Sequence, residues 1–117
     1  MKKFFAFLLC VLLLSSLSTV AFAAVLNQKT AYINGSGDIA ISVSSAPKYF
    51  TFDVDIVSGS GSGIIQIQKP DGSYYQDFVE FNGDTSVTKR VYLASQGTYI
   101  IEVALSGSAN VTVTVTN

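Results

Sequence analysis

Two kinds of residue in this chain are equipped for chemistry, a pair of aspartates and a set of tyrosines. Asp53 and Asp55 stand two apart within Lys48–Val57, which reads Lys-Tyr-Phe-Thr-Phe-Asp-Val-Asp-Ile-Val. On an extended strand that spacing puts both carboxylates on one face, roughly 7 Å apart. Hard cations take several carboxylate and carbonyl oxygens, so calcium is the cofactor this pair would hold. Asp38, Asp77 or Asp84 would complete the shell if the fold brings them close. The Asp-rich loop spacing of recognised calcium motifs is missing, and the plainer reading is two solubilising charges on the wet face of a sheet. Among the six tyrosines, Tyr49 and Tyr92 are expected to point outward, Tyr74 and Tyr75 follow a tight turn, and Tyr99 belongs to the core. An exposed ring can stack on a sugar while its hydroxyl makes a polar contact. Tyr49, Tyr74, Tyr75 and Tyr92 are therefore the candidate ligand-binding residues. Cross-strand aromatic packing is the competing use for them, and the lack of Trp weighs against sugar.

What is missing limits the chemistry further. The chain opens with Met1-Lys2-Lys3, an apolar run from Phe4 to Leu14 and a small-x-small end at Ala21-Phe22-Ala23. That is the pattern of a bacterial secretory signal with cleavage after Ala23, and the run is short for a bilayer span of about 20 apolar residues. Cys10 sits inside the apolar run behind Leu9, where a lipoprotein signal would need a small residue. Residues 1–23 are read as the signal peptide and 24–117 as one domain, with no membrane partner after cleavage. The 94 residues from Ala24 onward contain no Cys, His, Trp or Met. A Ser-His-Asp triad then has no base, a Cys-His dyad has neither member, and a catalytic zinc has no customary ligand. Carboxylate pairs remain, but a small sandwich offers little cleft in which to tune one of them. The expectation is that the protein is not an enzyme. Eight acids oppose Lys29, Lys48, Lys69, Lys89 and Arg90 in the same segment, a net charge of −3 that argues against nucleic acid as a partner.

The elements that must position these residues are strands. In Lys48–Val57, Phe50, Phe52, Val54 and Ile56 alternate with Tyr49, Thr51, Asp53 and Asp55, the period of a half-buried strand. Similar runs are expected at Lys29–Ile33, Asp38–Ser44, Ile64–Lys69, Tyr74–Phe81, Thr85–Ala94, Thr98–Leu105 and Asn110–Thr116. Turns are expected at Asn34–Gly37, at Pro70-Asp71-Gly72-Ser73, at Asn82-Gly83-Asp84, at Ser95-Gln96-Gly97 and at Ser106–Ala109, where Gly, Pro, Asn and Asp supply the needed dihedrals. The tract Ser58-Gly59-Ser60-Gly61-Ser62-Gly63 reads as a flexible loop. Tyr74–Phe81 has no fully polar side, which suits an edge or corner. About eight short strands without helical periodicity specify an all-β antiparallel sandwich, jelly-roll-like, following the N-terminal signal helix.

Tyr49-Phe50-Thr51-Phe52-Asp53-Val54, Ile65-Gln66-Ile67, Leu93-Ala94-Ser95-Gln96-Gly97-Thr98-Tyr99-Ile100-Ile101-Glu102-Val103 and the closing Val-Thr-Val-Thr-Val run resemble the bacterial pre-peptidase C-terminal domain. The resemblance covers residues 48–117. Members of that family are jelly-roll sandwiches attached to secreted proteases and similar to the collagen-binding modules of collagenases, so it implies a non-catalytic accessory fold. The family's acidic stretch between its middle strands has no clear counterpart here, and the chain carries no protease domain.

The function these features lead to is a secreted or cell-surface module that binds an extracellular polysaccharide or protein. The alternative is a self-assembling surface or matrix protein. Asn110–Thr116 has high β-propensity, no charge and no Pro, and at a sheet edge it would template strand addition by a second chain; the plainer reading is a paired strand inside the sandwich.

Overall fold

Alternating β-branched and aromatic residues build the fold seen in the computed structural model, which describes residues 24–117. The expected signal peptide and signal helix, residues 1–23, lie outside the described residues. Six antiparallel strands follow one another: β1 (Val25–Val43), β2 (Tyr49–Ser58), β3 (Ser62–Gln68), β4 (Val79–Asn82), β5 (Thr85–Arg90) and β6 (Gly97–Thr116).

β1 and β6 pair along nearly their whole length, with a break in register between Asn34 and Ser36. The first half of β6 also pairs with β3, from Gly63 opposite Leu105 to Gln68 opposite Ile100. Its second half pairs with β2, from Ser58 opposite Ser108 to Tyr49 opposite Thr116. β4 extends the first group beyond β3, and β5 extends the second beyond β2. The chain thus forms two layers joined by bent strands. One runs β1–β6–β3–β4 and the other β1–β6–β2–β5, each using a different half of β1 and β6. The alternate pairing of halves is the jelly-roll arrangement, closed almost to a barrel.

Strand alternation sends one side of each layer into a shared core. Phe50 and Phe52 from β2, Ile65 and Ile67 from β3, and Tyr99, Ile101, Val111, Val113 and Val115 from β6 are all buried. The layers meet where the ring of Phe50 packs edge-on against Tyr99, 5.1 Å between centroids at 62°. Opposing layers close along β1 as well. Asn27 and Lys29 share the strand face of the buried Ile33, and each donates across the gap to the other half of the strand: Asn27 Nδ2 to the Ser42 carbonyl at 2.5 Å, Lys29 Nζ to the Ala40 carbonyl at 3.0 Å.

Strand count is where the expectation needs correction. Two expected turns, Asn34–Gly37 and Ser106–Ala109, are bends inside single strands, so the expected eight strands become six. A second correction concerns the Ser/Gly tract, which forms a packed corner where a flexible loop was expected. Gly107, at φ 102, is so close to the β2–β3 connection that an added Cβ would overlap the Ser58 carbonyl and come within 2.7 Å of the Gly59 Cα. Gly61 N–H donates to the Ser106 carbonyl at 3.2 Å, and Ser58 and Ser108 share a 2.6 Å hydroxyl hydrogen bond. Asn110–Thr116 takes the paired interior position expected of it and is not the edge that the self-assembly alternative requires. It lies between β1 and β2 with partners on both sides, because its unbroken Val/Thr alternation suits an interior position. Finally, the expected Thr85–Ala94 strand stops at Arg90, and Leu93, near its expected end, is fully exposed. The expected edge position near Tyr74–Phe81 is found: β4 is confined to Val79–Asn82 and pairs only with β3.

Candidate binding site

The end of the sandwich opposite the glycine corner is where β2 begins, β3 and β5 finish and β6 starts. It holds a recess of about 130 Å³ lined by Ile67, Tyr75, Asp77, Lys89, Arg90, Val91 and Tyr92.

Tyr75 is placed by the turn before it. Lys69 N–H donates to the Ser73 carbonyl at 2.7 Å, and Gly72 N–H returns to Lys69 at 3.0 Å. The Asp71 carboxylate accepts from the Ser73 hydroxyl and N–H at 2.6 and 2.9 Å, bonds that hold its pKa below the usual carboxylate value. Pro70 presets the turn and Asp71 closes it as an Asx turn. The chain then runs back beside β3, with Tyr75 N–H on the Ile67 carbonyl at 3.0 Å and Tyr74 bridged to Gln68. Alternation puts the two neighbouring rings on opposite sides. Tyr75 turns into the open end, with the Lys69 ammonium 4.6 Å from its ring centroid. Its hydroxyl is buried with no hydrogen-bond partner among the described residues, and burial pushes its pKa up to about 12.

The other wall comes from β5. Lys89 is opposite the buried Phe50 and so takes the inward face at the mouth of the core. Arg90 faces outward opposite Tyr49, and its guanidinium lies 5.1 Å from the ring centroid of Tyr92. Val91 N–H bonds to the Lys48 carbonyl at 2.7 Å and ends the strand. The loop that follows is held from below by Tyr99. That buried phenol donates to the Ser95 carbonyl and accepts from Ser95 N–H at 3.1 Å. The loop thereby presents Tyr92, 69% exposed, beside Leu93, which is wholly exposed at φ 53. A bulky residue in the left-handed region carries backbone strain of about 1 kcal/mol.

Of the four tyrosines singled out from sequence, Tyr75 and Tyr92 line the recess, and Tyr49 stands on the outer face beside Arg90. Tyr74 belongs elsewhere. It lies over the outer face of the β3 layer, where its hydroxyl donates to Glu102 at 2.8 Å, a bond that raises the phenol pKa.

Asp53 and Asp55 do share a face, in an open depression of about 510 Å³ with Asp84, Ser86, Asn110 and Thr112. Asp84 is engaged there as a turn cap, accepting Ile56 N–H at 2.8 Å. Asp38 is opposite Glu102 in the other layer, and Asp77 is in the tyrosine recess. Asp53, Asp55 and Asp84 thus share one depression while Asp38 and Asp77 lie apart from it, and among the described residues no three acid, His or Cys side chains are placed to hold a metal.

Sequence reading missed Lys69, Lys89 and Arg90. The available signal was positional: each sits at the end of a strand that finishes on the same side of the sandwich, beside a turn that carries tyrosine.

No family model and no curated protein matches the chain. Solved structures do. The propeptide form of the Bacillus licheniformis lipase BlEst2 is 18% identical with a TM-score of 0.58 over 83% of this chain, which spans only 22% of the lipase chain. The C-terminal domain of A223, a structural protein of Sulfolobus turreted icosahedral virus, is 16% identical with a TM-score of 0.52, covering 80% of this chain and all of that one. A carbohydrate-binding module of Cellvibrio mixtus lichenase 5A, solved with cellotriose, is 12% identical with a TM-score of 0.51, covering 83% and 90%. At these identities the likeness is one of fold. Architecture and topology define an all-β, jelly-roll-like sandwich, a scaffold on which unrelated functions are carried.

Proposed function

We propose that the protein is a secreted, non-catalytic β-sandwich module that binds an extracellular polysaccharide through the recess between Tyr75 and Tyr92. The observation that carries this reading is the aromatic-walled recess itself, with Tyr75 on one side and Tyr92, largely exposed, on the other. The exposed ring of Tyr92 would take an apolar sugar face while Lys89 and Arg90 donate to the sugar's oxygens. Ligand pockets combine apolar walls with a few convergent polar groups in this way. Secretion follows from the N-terminal signal pattern, and the lack of His and Cys after residue 23 supports a binding role over a catalytic one. The likeness in fold to a carbohydrate-binding module and the resemblance of residues 48–117 to pre-peptidase C-terminal domains agree with this role.

Affinity electrophoresis of the purified protein through gels containing soluble polysaccharides tests the proposal. Migration should be retarded by at least one polysaccharide. Tyr92→Ala should weaken that retardation about fivefold or more, the scale of a lost aromatic stacking contact, and Tyr74→Ala should not change it. Equal retardation of Tyr92→Ala and the parent would remove the recess as the binding site.

A further inference from the structure

The structure sorts charge by position in a way that the net value conceals. Lys48, Lys69, Lys89 and Arg90 all lie at the tyrosine end, leaving Lys29 as the single basic residue elsewhere between 24 and 117. Six of the eight acids lie away from that end, on the layer faces or at the glycine corner; Asp71 and Asp77 are the exceptions. Asp71 is engaged by Ser73 in its own turn, so Asp77 is the one carboxylate lining the recess.

We propose that the ligand of this recess is an anionic polysaccharide, a chain of uronate sugars, held by Arg90 and Lys89 beside the tyrosine walls. The inference rests on the polysaccharide-binding reading above and names its substrate class. A planar guanidinium matches a carboxylate through two parallel hydrogen bonds, and Arg90 is already oriented by its stacking over Tyr92. Lys89 emerges from the inward face of β5, so its charge stands at the mouth of the recess. Positive groups in a concave site raise the local concentration of an anionic chain. The acidic faces elsewhere repel the same chain, which confines binding to one end of the molecule. A recess of this size admits a ring rather than a flat surface, which favours a glycan over a lipid bilayer.

The test uses the protein from Ala24 onward with three soluble probes: polygalacturonate, its fully methyl-esterified form, and a neutral glucan. Retardation should be strong with polygalacturonate and about tenfold weaker with the ester, which keeps the backbone and removes the charge. Arg90→Gln and Lys89→Gln should each weaken polygalacturonate binding about fivefold or more, and raising salt from 50 to about 500 mM should do the same, since screening shortens the reach of these charges. Asp77→Asn should tighten it, because it removes the repelling carboxylate. Circular dichroism of each variant confirms the fold. Equal binding of acid and ester, or preference for the glucan, with loss on Tyr92→Ala, would overturn the anionic inference and leave the polysaccharide reading standing. Polygalacturonate binding untouched by the Arg90 and Lys89 substitutions would overturn it too. Retardation by none of these or other polysaccharides, with sedimentation on anionic vesicles instead, would overturn both.

Discussion

Tyr75 keeps a hydroxyl in a place where none of the described residues bonds it. In the absence of ligand, Tyr75→Phe removes that orphan group and fills the same space, so stability at neutral pH should stay level or rise by up to about 1 kcal/mol. Polysaccharide affinity should hold in the same variant, because the ring that walls the recess is kept, and denaturant unfolding beside affinity electrophoresis reads both. The pH dependence follows from the raised phenol pKa. The unfolded chain releases the Tyr75 proton near its ordinary value of 10.0, whereas the folded protein holds it to about 12. The Tyr75 contribution is therefore complete below pH 10 and is lost as pH rises towards about 12. Unfolding curves across that interval should fall less steeply for Tyr75→Phe than for the parent. Leu93 is the other residue out of keeping with its surroundings. Gly accepts positive φ without the Cβ penalty, so Leu93→Gly should relieve local strain with little loss of core, raising stability by up to about 1 kcal/mol.

Among the elements, β6 organises the others, because β1, β2 and β3 all pair with it. Its bend at Gly107 lets one strand serve two layers, and the bend depends on backbone packed directly on backbone. Gly107→Ala should cost about 3 kcal/mol or more, since the methyl group overlaps the Ser58–Gly59 backbone and φ is positive. Gly72, also at positive φ but with nothing within 4 Å of an added Cβ, should cost only about 1 kcal/mol on the same change. Thermal denaturation of the two variants separates steric closure from dihedral preference. A similar loss in both would mean that the corner contact contributes little. The recess depends on a smaller element, the loop held by Tyr99. Tyr99→Phe preserves the ring packing against Phe50 but frees the Ser95 backbone, so it should loosen Tyr92 and weaken binding more than it lowers stability.

For the whole molecule, the open edges decide whether copies associate. β1 is paired on one side only, but Lys29 and Asn27 occupy the Ala40 and Ser42 carbonyls along its second half. An inward-pointing lysine on an edge strand is a recognised guard against strand addition. Replacing Asn27 and Lys29 together by Ala should raise self-association, measured by light scattering against concentration. An unchanged monomer would mean that the short β4 and β5 edges and the bent outline of β1 suffice. Charge segregation is also a property of the whole molecule. Four basic residues spread over some forty positions of sequence become one face because antiparallel strands return to the same end.

Strand alternation, turn residues and the missing His and Cys were legible from sequence because each depends on local chemistry: Phe50, Phe52 and Tyr99 declare themselves buried by their neighbours in the chain. Exposure of Tyr92 was readable in the same way. Tertiary structure alone decided that Asn34–Gly37 and Ser106–Ala109 are bends rather than turns, since Gly and Asn permit either and only pairing partners choose between them. It alone made Asn110–Thr116 an interior strand, because an edge is defined by the lack of a neighbour. The same holds for the recess. Tyr75, Lys89 and Tyr92 have no local reason to meet, and they meet because two layers that share bent strands must end together.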